Sequence, residues 1–432
     1  MALANTTAEQ TRRGTGARRA VLSSFLGSTI EYYDFALYAT ASSLVFGPVF
    51  FASLSPLVAT VASYATLAAG FVARPVGGLV FGHFGDRLGR KRMLVVSMTA
   101  MGAASALIGV IPAVPTWGAT LLVLLRVVQG VAIGGEWGGA ALLSAEHAPE
   151  HRRGLAASFT TAGAPTGTVL GAVALALAGL LPADQFLSWG WRIPFLFSAV
   201  LLVVGLFVRT KVAESPVFRA AAPQAERRRP PFIEVLRRPR AVIVVFLSCL
   251  AGFAIQAMFA TYGVTYSAGH GLTRSAALLA FAISQALAIP GTLGAAWLSD
   301  RYGRRPIMLA GLAGMVVLTY PVFLMLGSGR FALVLTALVL ALALCQGVAF
   351  GPVAAFISEQ FPTHVRYTGV SLGYQTASVV GAGFTPLVVA ALAANTHGST
   401  TALMVYLVGL CLGSGLVIAV CTKETKNVTL SS

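Results

Sequence analysis

Charged residues are scarce in this chain. Only 10% of its 432 residues are Asp, Glu, Lys or Arg, whereas 56% are hydrophobic. Soluble domains carry about 25% charged residues, so the shortage of charge excludes an ordinary soluble globular protein. It leaves apolar stretches of about 20 residues, each long enough to cross a hydrocarbon core of roughly 30 Å.

Motifs for nucleotide and metal chemistry are missing as well. The sequence contains neither the phosphate-binding pattern G-x-x-x-x-G-K-[ST] nor the zinc pattern H-E-x-x-H. Its four cysteines have no metal-ligand spacing. We therefore expect no metal, no cofactor, no enzymatic activity and no ATP-driven transport by this chain itself.

Apolar segments recur along nearly the whole sequence. We predict an all-α membrane protein with twelve transmembrane helices, because each segment can span a bilayer. The 46 glycines suit helices that pack closely within a membrane. The predicted segments are centred in 21–46, 57–81, 93–113, 117–145, 154–181, 190–208, 241–268, 275–298, 306–326, 330–357, 367–393 and 399–422.

Basic residues are concentrated on alternate loops. The net charge of +16 would suit a nucleic-acid partner, but most Lys and Arg lie in the N-terminal segment, the even-numbered loops and the C-terminal segment. By the positive-inside rule this distribution predicts a multi-pass protein of a bacterial cytoplasmic (inner) membrane with both termini in the cytoplasm. The expected partner of the basic residues is the lipid bilayer and not nucleic acid.

One long hydrophilic interruption, residues 209–240, divides the chain. It is rich in Arg, Ala and Pro, and we interpret it as a cytoplasmic linker that includes a short surface helix. It separates a predicted N-terminal six-helix bundle, 1–208, from a C-terminal six-helix bundle, 241–432.

The two halves also repeat each other. Duplicated bundles of this type usually enclose a site near the middle of the membrane and rock around it, which predicts a carrier. The repeated residues, 213 or 214 positions apart, include Asp86 with Asp300, Glu146 with Glu359, and Arg153 with Arg366.

Longer motifs carry a family resemblance. GHFGDRLGRKR (82–92) resembles the loop signature between helices 2 and 3 of the major facilitator superfamily, and RVVQG (126–130) resembles its helix-4 signature. EYYDFALY (31–38), FVARPVGG (71–78) and GGEWGGAALLSAEHAP (134–149) are similar to the metabolite:proton symporter subfamily. The resemblance implies two pseudo-symmetric six-helix bundles and proton-coupled transport of carboxylates such as shikimate, α-ketoglutarate and citrate, or of zwitterions such as proline and betaine.

Ionisable residues inside the predicted spans belong to the first half. Glu31, Asp34 and Tyr38 share one face of helix 1 because they are three and four residues apart. Two carboxyls in a poorly hydrated site favour binding of a proton, so we predict that Asp34 and Glu31 couple transport to protons. The alternative is an acid that only pairs with an arginine. Tyr33 and Tyr38 are predicted substrate contacts.

Arg126, Gln129 and Glu136 form a stripe on helix 4. An arginine fork can hold a substrate carboxylate, or hold Asp34 until a proton releases it. We predict that Arg126 and Gln129 contact the substrate and that Arg126 and Glu136 take part in proton coupling. The alternatives are a permanent ion pair at Arg126 and a buried acid–base tie at Glu136. Arg74, just before Pro75, is expected near the cytoplasmic end of helix 2, where it would snorkel or pair structurally.

The second half offers neutral polar groups within its spans, and its helix 10 has Ala343 where the helix-4 signature would place arginine. We predict that Gln256, Gln346, Tyr374 and Gln375 contact the substrate, the alternative being hydrogen bonds between helices.

The duplicated basic loops are predicted to gate the cytoplasmic side. The glycines would permit a tight turn after helix 2, and Asp86 would bond amide groups at a helix N-terminus across the interface between the bundles. The loop arginines would otherwise only set topology. The predicted gating residues are Gly82, Gly85, Asp86, Arg87, Gly89, Arg90, Glu146, Arg153, Asp300, Arg301, Gly303, Arg304, Glu359 and Arg366.

Together these features predict a proton-coupled symporter that imports a small carboxylated metabolite and functions as a monomer. The alternatives are a proton-coupled carrier of zwitterions or osmolytes and a facilitator without coupling.

Overall fold

The computed structural model describes residues 2–225, 230–237, 239–395 and 399–430. Within these ranges the chain is helical and contains no strand. Eleven of the described helices are long and apolar enough to cross a membrane, and the first helix supplies the twelfth. Residues 226–229 and 238 of the predicted linker lie outside the described ranges.

The twelve spanning helices are α1 (Ala2–Leu44), α2 (Pro56–Leu88), α3 (Arg90–Ile108), α4 (Pro115–His147), α5 (Arg153–Ala178), α6 (Arg192–Thr210), α7 (Arg240–Gly269), α8 (Arg274–Tyr302), α9 (Arg304–Leu326), α10 (Phe331–Ser358), α11 (Thr363–Asn395) and α12 (Thr401–Cys421). The prediction of an all-α protein with twelve spans in two six-helix bundles is confirmed.

Helix ends follow from the local sequence. Pro56 and Pro115 stand in the first turns of α2 and α4, where the missing N–H has no helical partner to lose. Gly89 and Gly303 end α2 and α8 with φ of 112° and 106°, a backbone region that side chains rarely adopt. Since each glycine turns the chain sharply, α3 and α9 begin at the next residue.

Helices α2 and α4 pack against each other through glycines. A Cβ on Gly77 would collide with the backbone of Val131, and one on Gly130 would collide with the carbonyl oxygen of Gly70. The FVARPVGG motif and the RVVQG segment therefore bring two backbones into direct contact, as small residues do between membrane helices.

The junctions after α2, α4, α8 and α10 meet at one end of the molecule, which we call the basic end. Here Gly82 and Gly85 do not form the predicted turn, because α2 remains helical to Leu88. Instead they face α11, where a Cβ would meet Thr368 and Tyr367. Of the three predicted turn glycines in this loop, Gly89 alone makes the turn.

Two short helices, Pro216–Ala225 and Pro231–Arg237, lie between α6 and α7. The second packs on the basic end, where Glu234 Oε1 lies 3.0 Å from His364 Nε2 and the Phe232 ring lies 5.1 Å from that of His83. The segment predicted to contain one surface helix therefore contains two.

Replacing Gly89 by alanine should destabilise the protein. A side chain at φ 112° costs about 1–3 kcal/mol, and the new Cβ would press on the Glu214 carboxylate. The measurement is the midpoint of thermal unfolding in detergent.

Gly409→Ala, in α12, is the matched control, since a Cβ there meets nothing within 4 Å. Equal losses of stability in the two variants would contradict the assigned role of Gly89.

Candidate functional site

A cavity of about 120 Å³ lies between the two halves of the molecule. Its walls come from α1, α2, α4 and α5 on one side and from α7, α8, α10 and α11 on the other. Two of these helices change to wider π-helical turns beside it, at Val339–Gln346 and Val379–Phe384, a distortion often found at functional sites. Its polar and aromatic lining includes Tyr32, Phe35, Phe71, Arg74, Trp137, Thr161, Gln256, Gln285, Gln346, Tyr374 and Ser378.

Arg74 is the one charged side chain among the described residues that line the cavity. It is 5% exposed, and its guanidinium carbon lies 4.4 Å from the ring centre of Phe71 and 5.2 Å from that of Phe35. Its Nη1 donates to Ser378 Oγ at 3.1 Å, whereas its Nε has no partner. The snorkelling expected for Arg74 is wrong: α2 continues to Leu88, so this residue lies near the middle of the helix.

Tyr374 lies against aromatic residues of both halves. Its ring stacks on that of Trp137 with centroids 3.6 Å apart and planes inclined by 4°, and Phe253 packs edge-on at 4.9 Å. Its hydroxyl lies close to that of Tyr32. These rings make this part of the cavity wall aromatic.

Of the other three residues of the second half that are predicted to contact the substrate, two line the cavity and one does not. Gln256 and Gln346 line the cavity, and Gln346 Nε2 also donates to the carbonyl oxygen of Gly252 at 3.1 Å. Gln375 is not among the lining residues; its amide donates to the carbonyl oxygen of Ile133 at 3.1 Å. Gln375 therefore ties α11 to α4, the interhelical alternative considered for these residues.

The predicted residues of α1 lie inside the first half, behind the cavity wall. Asp34 Oδ1 accepts a hydrogen bond from Ser198 Oγ at 2.6 Å, and Asp34 Oδ2 and Glu31 Oε2 have no partner. Among the arginines, Arg74 has the strongest electrostatic interaction with the Glu31 carboxyl.

The hydroxyl groups of two tyrosines predicted to contact the substrate are hydrogen-bonded away from the cavity. Tyr33 donates to the carbonyl oxygen of Pro194 at 2.8 Å, and Tyr38 donates to Thr66 Oγ1 at 2.7 Å. Neither side chain is among those lining the cavity.

Arg126 and Gln129 also lie behind the wall. The guanidinium carbon of Arg126 lies 4.2 Å from the ring centre of Tyr38, and its Nη1 donates to Gln129 Oε1 at 3.2 Å. Gln129 in turn donates to Ser105 Oγ at 2.5 Å. Arg126 interacts electrostatically with Asp34, but among the described residues it makes no ion pair.

On α1 and α4 the side chains that reach the cavity are each one residue later in the chain than the predicted ones. Tyr32 follows Glu31, Phe35 follows Asp34 and Trp137 follows Glu136, and in each pair the later residue reaches the cavity. One residue turns an α-helix by about 100°. The charged faces of α1 and α4 therefore pack against each other, while the neighbouring aromatic faces meet the cavity.

Glu136 forms a buried ion pair with Arg209. Arg209 Nη1 lies 2.5 Å from Glu136 Oε1, and both side chains are inaccessible. Ser97 Oγ donates to the other carboxylate oxygen at 2.7 Å. This geometry favours the acid–base tie over the predicted coupling role. The linker predicted over 209–240 includes Arg209, whereas in the structure α6 continues to Thr210 and carries this residue.

Asp86 spans the two halves at the basic end. Its carboxylate accepts hydrogen bonds from Tyr367 N at 3.1 Å, Thr368 N at 2.9 Å and Thr368 Oγ1 at 2.8 Å, in the first turns of α11. Arg90 pairs with Asp86 at 3.2 Å and lies 3.5 Å from Glu146, to which Arg366 donates at 3.1 Å. We call Asp86, Arg90, Glu146 and Arg366 the first latch.

The repeated residues build a matching arrangement. Asp300 accepts from Gly154 N at 2.8 Å and Leu155 N at 2.9 Å, at the start of α5. Arg304 pairs with Asp300 at 2.6 Å. Glu359 lies 3.4 Å from Arg304 and 3.2 Å from Arg153. We call Asp300, Arg304, Glu359 and Arg153 the second latch.

Arg87 and Arg301, also predicted to gate, are exposed. Each follows its latch aspartate by one residue, so helix rotation turns it outward, and Arg301 lies over the ring of Trp297 at 5.0 Å. Both are surface charges, which agrees with the alternative that the loop arginines only set the topology.

Sequence reasoning missed a second pair of acids. Glu214 accepts from Arg90 N and Lys91 N, both at 3.1 Å, and Glu424 accepts from Arg304 N at 2.8 Å. Each caps the helix that starts after a turn glycine. Their position after α6 and α12, in equivalent places of the two halves, was the available signal.

Comparison with known proteins gives one family. The model of the Major Facilitator Superfamily matches residues 21–386. The "Shikimate transporter" of Escherichia coli (strain K12) is 40% identical over 413 residues, covering 93% of each chain. The "Proline/betaine transporter" of the same strain is 31% identical over 431 residues, covering 95% of this chain and 84% of that protein.

A solved structure shares the fold. The proton:xylose symporter XylE, bound to 6-bromo-6-deoxy-D-glucose, superposes with a TM-score of 0.80 over 97% of this chain and 98% of that one, at 19% identity.

Breaking either latch should open the basic end. Asp86→Asn and Asp300→Asn each weaken charge-assisted hydrogen bonds worth about 1.5–3 kcal/mol, which is roughly a tenfold to hundredfold change in the ratio of closed to open molecules. The exposed Cys421 is replaced by serine, and spin labels are attached at positions His151 and Arg301. The distance distribution measured by pulsed electron paramagnetic resonance should broaden toward longer values.

Asp184→Asn, an exposed acid between α5 and α6, is the control and should leave the distance distribution unchanged. Unaltered distributions in both latch variants would show that these bonds do not hold the end closed.

Glu136→Gln should destabilise the protein by about 3–5 kcal/mol, because it leaves Arg209 buried without its counter-charge. Removing both charges, in Glu136→Gln with Arg209→Gln, should recover part of the loss. Chemical unfolding in detergent measures this. A stable Glu136→Gln variant would instead favour the coupling role.

Proposed function

Because the chain belongs to the major facilitator superfamily and is therefore a membrane transporter, we propose that it is a proton-coupled symporter importing a small carboxylated metabolite. The observation that carries the proposal is that Arg74, the charged residue of the cavity wall, lies close enough to the buried acid Glu31 behind it for the two charges to interact. The Arg74 guanidinium provides a place for a carboxylate, and the Glu31 carboxyl provides a place for a proton.

Arg74 is suited to bind an anion. A guanidinium keeps its charge when desolvated and offers a planar fork to a carboxylate. Phe71 and Phe35 cover part of its surface, and its Nε remains unpartnered. The similarity to a shikimate transporter supports a carboxylated substrate.

Glu31 is suited to bind the proton. An unpaired carboxylate removed from water costs several kcal/mol, and Glu31 is 2% exposed with one oxygen unpartnered. A proton on Glu31 removes a charge that competes with the substrate for Arg74. We propose Glu31 as the main carrier, with Asp34, which interacts electrostatically with Arg126, as a second buried acid.

The latches support alternating access. They join the halves at the basic end while the cavity lies between the same halves, so substrate release there requires both latches to open. We propose that 1–208 and 241–432 move as two bodies joined by 209–240, with the first and second latches at their contact. The basic end and both termini then face the cytoplasm of a bacterium, and the monomer is the transporting unit.

Transport of a zwitterion such as betaine is a second candidate. The aromatic wall of Trp137, Tyr374 and Phe253 suits a cationic headgroup, and the proline/betaine relative supports this reading.

Uptake into proteoliposomes with an imposed pH gradient, acid outside, tests the proposal. Shikimate, α-ketoglutarate, citrate, proline and betaine are compared in parallel. Accumulation of a carboxylate that stops when a protonophore collapses the gradient is expected. Accumulation of betaine alone would favour the second candidate, and flux indifferent to the gradient would indicate a facilitator.

Glu31→Gln should abolish gradient-driven accumulation but spare exchange of labelled for unlabelled substrate, because glutamine imitates the protonated acid. Asp184→Asn is the control, since its carboxyl is exposed. Undiminished proton-driven accumulation by Glu31→Gln would remove Glu31 from the mechanism.

A further inference from the structure

Four buried polar atoms of cavity-lining residues have no hydrogen-bond partner. They are Arg74 Nε, Gln285 Oε1, Thr161 Oγ1 and Trp137 Nε1, on residues that are 5%, 3%, 6% and 1% exposed. A buried polar group left unsatisfied is destabilising, and native structures contain few of them. Because the four belong to α2, α8, α5 and α4, a molecule between the halves can satisfy them together.

We propose that three of these side chains select a hydroxylated monocarboxylate: Arg74 binds its single carboxylate, and Gln285 and Thr161 bind its hydroxyl groups. This inference rests on the proposed function and narrows its substrate class.

The charge of the lining favours one carboxylate. Arg74 is the cation among the described lining residues, and Arg126, which carries the next positive charge, lies beside Tyr38 behind the wall. A second or third carboxylate would stand in the cavity without a counter-charge, beside the acid Glu31. Burying an unpaired charge is strongly unfavourable, so dicarboxylates and tricarboxylates are disfavoured.

The unpartnered acceptor favours a hydroxyl. Gln285 Oε1 can only accept a hydrogen bond, whereas the Thr161 hydroxyl can donate or accept. A ligand that meets both must donate at least one hydrogen bond away from its carboxylate. Betaine has no N–H or O–H group, so it leaves Gln285 unsatisfied, and a site built around a buried polar group discriminates strongly against such ligands.

The remaining wall favours a compact carbon skeleton. The Trp137 and Tyr374 rings are stacked with centroids 3.6 Å apart, and Phe253 packs edge-on against Tyr374, so this part of the wall is aromatic. An apolar ring face or short chain packs there, while its substituents reach the polar atoms.

The test compares two ligands that differ only in hydroxyls, shikimate and 1-cyclohexene-1-carboxylate, with citrate and betaine as class controls. Binding to the purified full-length protein is followed by intrinsic tryptophan fluorescence, since Trp137 lines the cavity. The wild-type protein should bind shikimate at least tenfold more tightly than each of the other three.

The variants separate the two recognition points. Gln285→Leu should weaken shikimate at least tenfold and leave 1-cyclohexene-1-carboxylate unchanged, so that the discrimination collapses. Arg74→Lys should weaken both carboxylates by a similar factor of at least ten. Thr161→Val should reduce the discrimination, whereas Thr166→Val, on the same helix but with its hydroxyl bonded to Ala162 O at 2.8 Å, should not.

Tighter binding of citrate or betaine than of shikimate would overturn the inference, as would unchanged discrimination in Gln285→Leu. Carboxylate uptake in proteoliposomes together with unchanged discrimination would overturn this inference alone. Failure of the wild-type protein to bind or transport any carboxylate of the panel would overturn the proposed function as well.

Discussion

The fold keeps one guanidinium charged between its two halves, and much of the surrounding sequence serves that constraint. Arg74 lies on α2 between Gly70 and Gly77, which allow α4 to approach, and a Cβ on Gly134 would collide with the Arg74 carbonyl oxygen. On the other side α11 supplies Ser378. A charge so far from water needs partners, and here they are aromatic faces, one hydroxyl and a nearby buried acid, none of which neutralises it completely.

The two latches give the duplication a physical purpose. In each, an aspartate at the end of one helix accepts amide hydrogen bonds from the first turn of a helix in the other half, where the helix dipole favours a negative charge. Asp86 does so with α11, and Asp300 with α5. Because each half supplies one aspartate and one receiving helix, both contacts must break together when the halves separate.

Several features could be predicted from the sequence because they depend on local pattern. The twelve apolar spans, the duplicated acids and arginines, and the turn at Gly89 follow from hydropathy, repetition and backbone chemistry. Asp86 and Asp300 bond helix N-termini of the opposite half, as their motif predicts for Asp86.

The orientation of each helix about its axis could not be predicted in this way. Periodicity groups Glu31 with Asp34, and Arg126 with Glu136, but packing decides which way each group faces. A rotation of one residue places Tyr32, Phe35 and Trp137 at the cavity instead. Arg74 and Arg209 were misjudged for a related reason: their positions relative to the membrane depend on how far α2 and α6 continue, to Leu88 and Thr210.

In the proposed mechanism Arg74 binds the carboxylate of the transported molecule. Solid-state NMR can detect this contact as dipolar coupling between ¹³C-carboxylate-labelled shikimate and ¹⁵N-labelled guanidinium groups in reconstituted protein. A charge-assisted contact of about 2.7–2.9 Å between nitrogen and oxygen should give strong coupling that disappears in Arg74→Lys and persists in Arg126→Lys. Coupling that persists without Arg74 and disappears without Arg126 would contradict it.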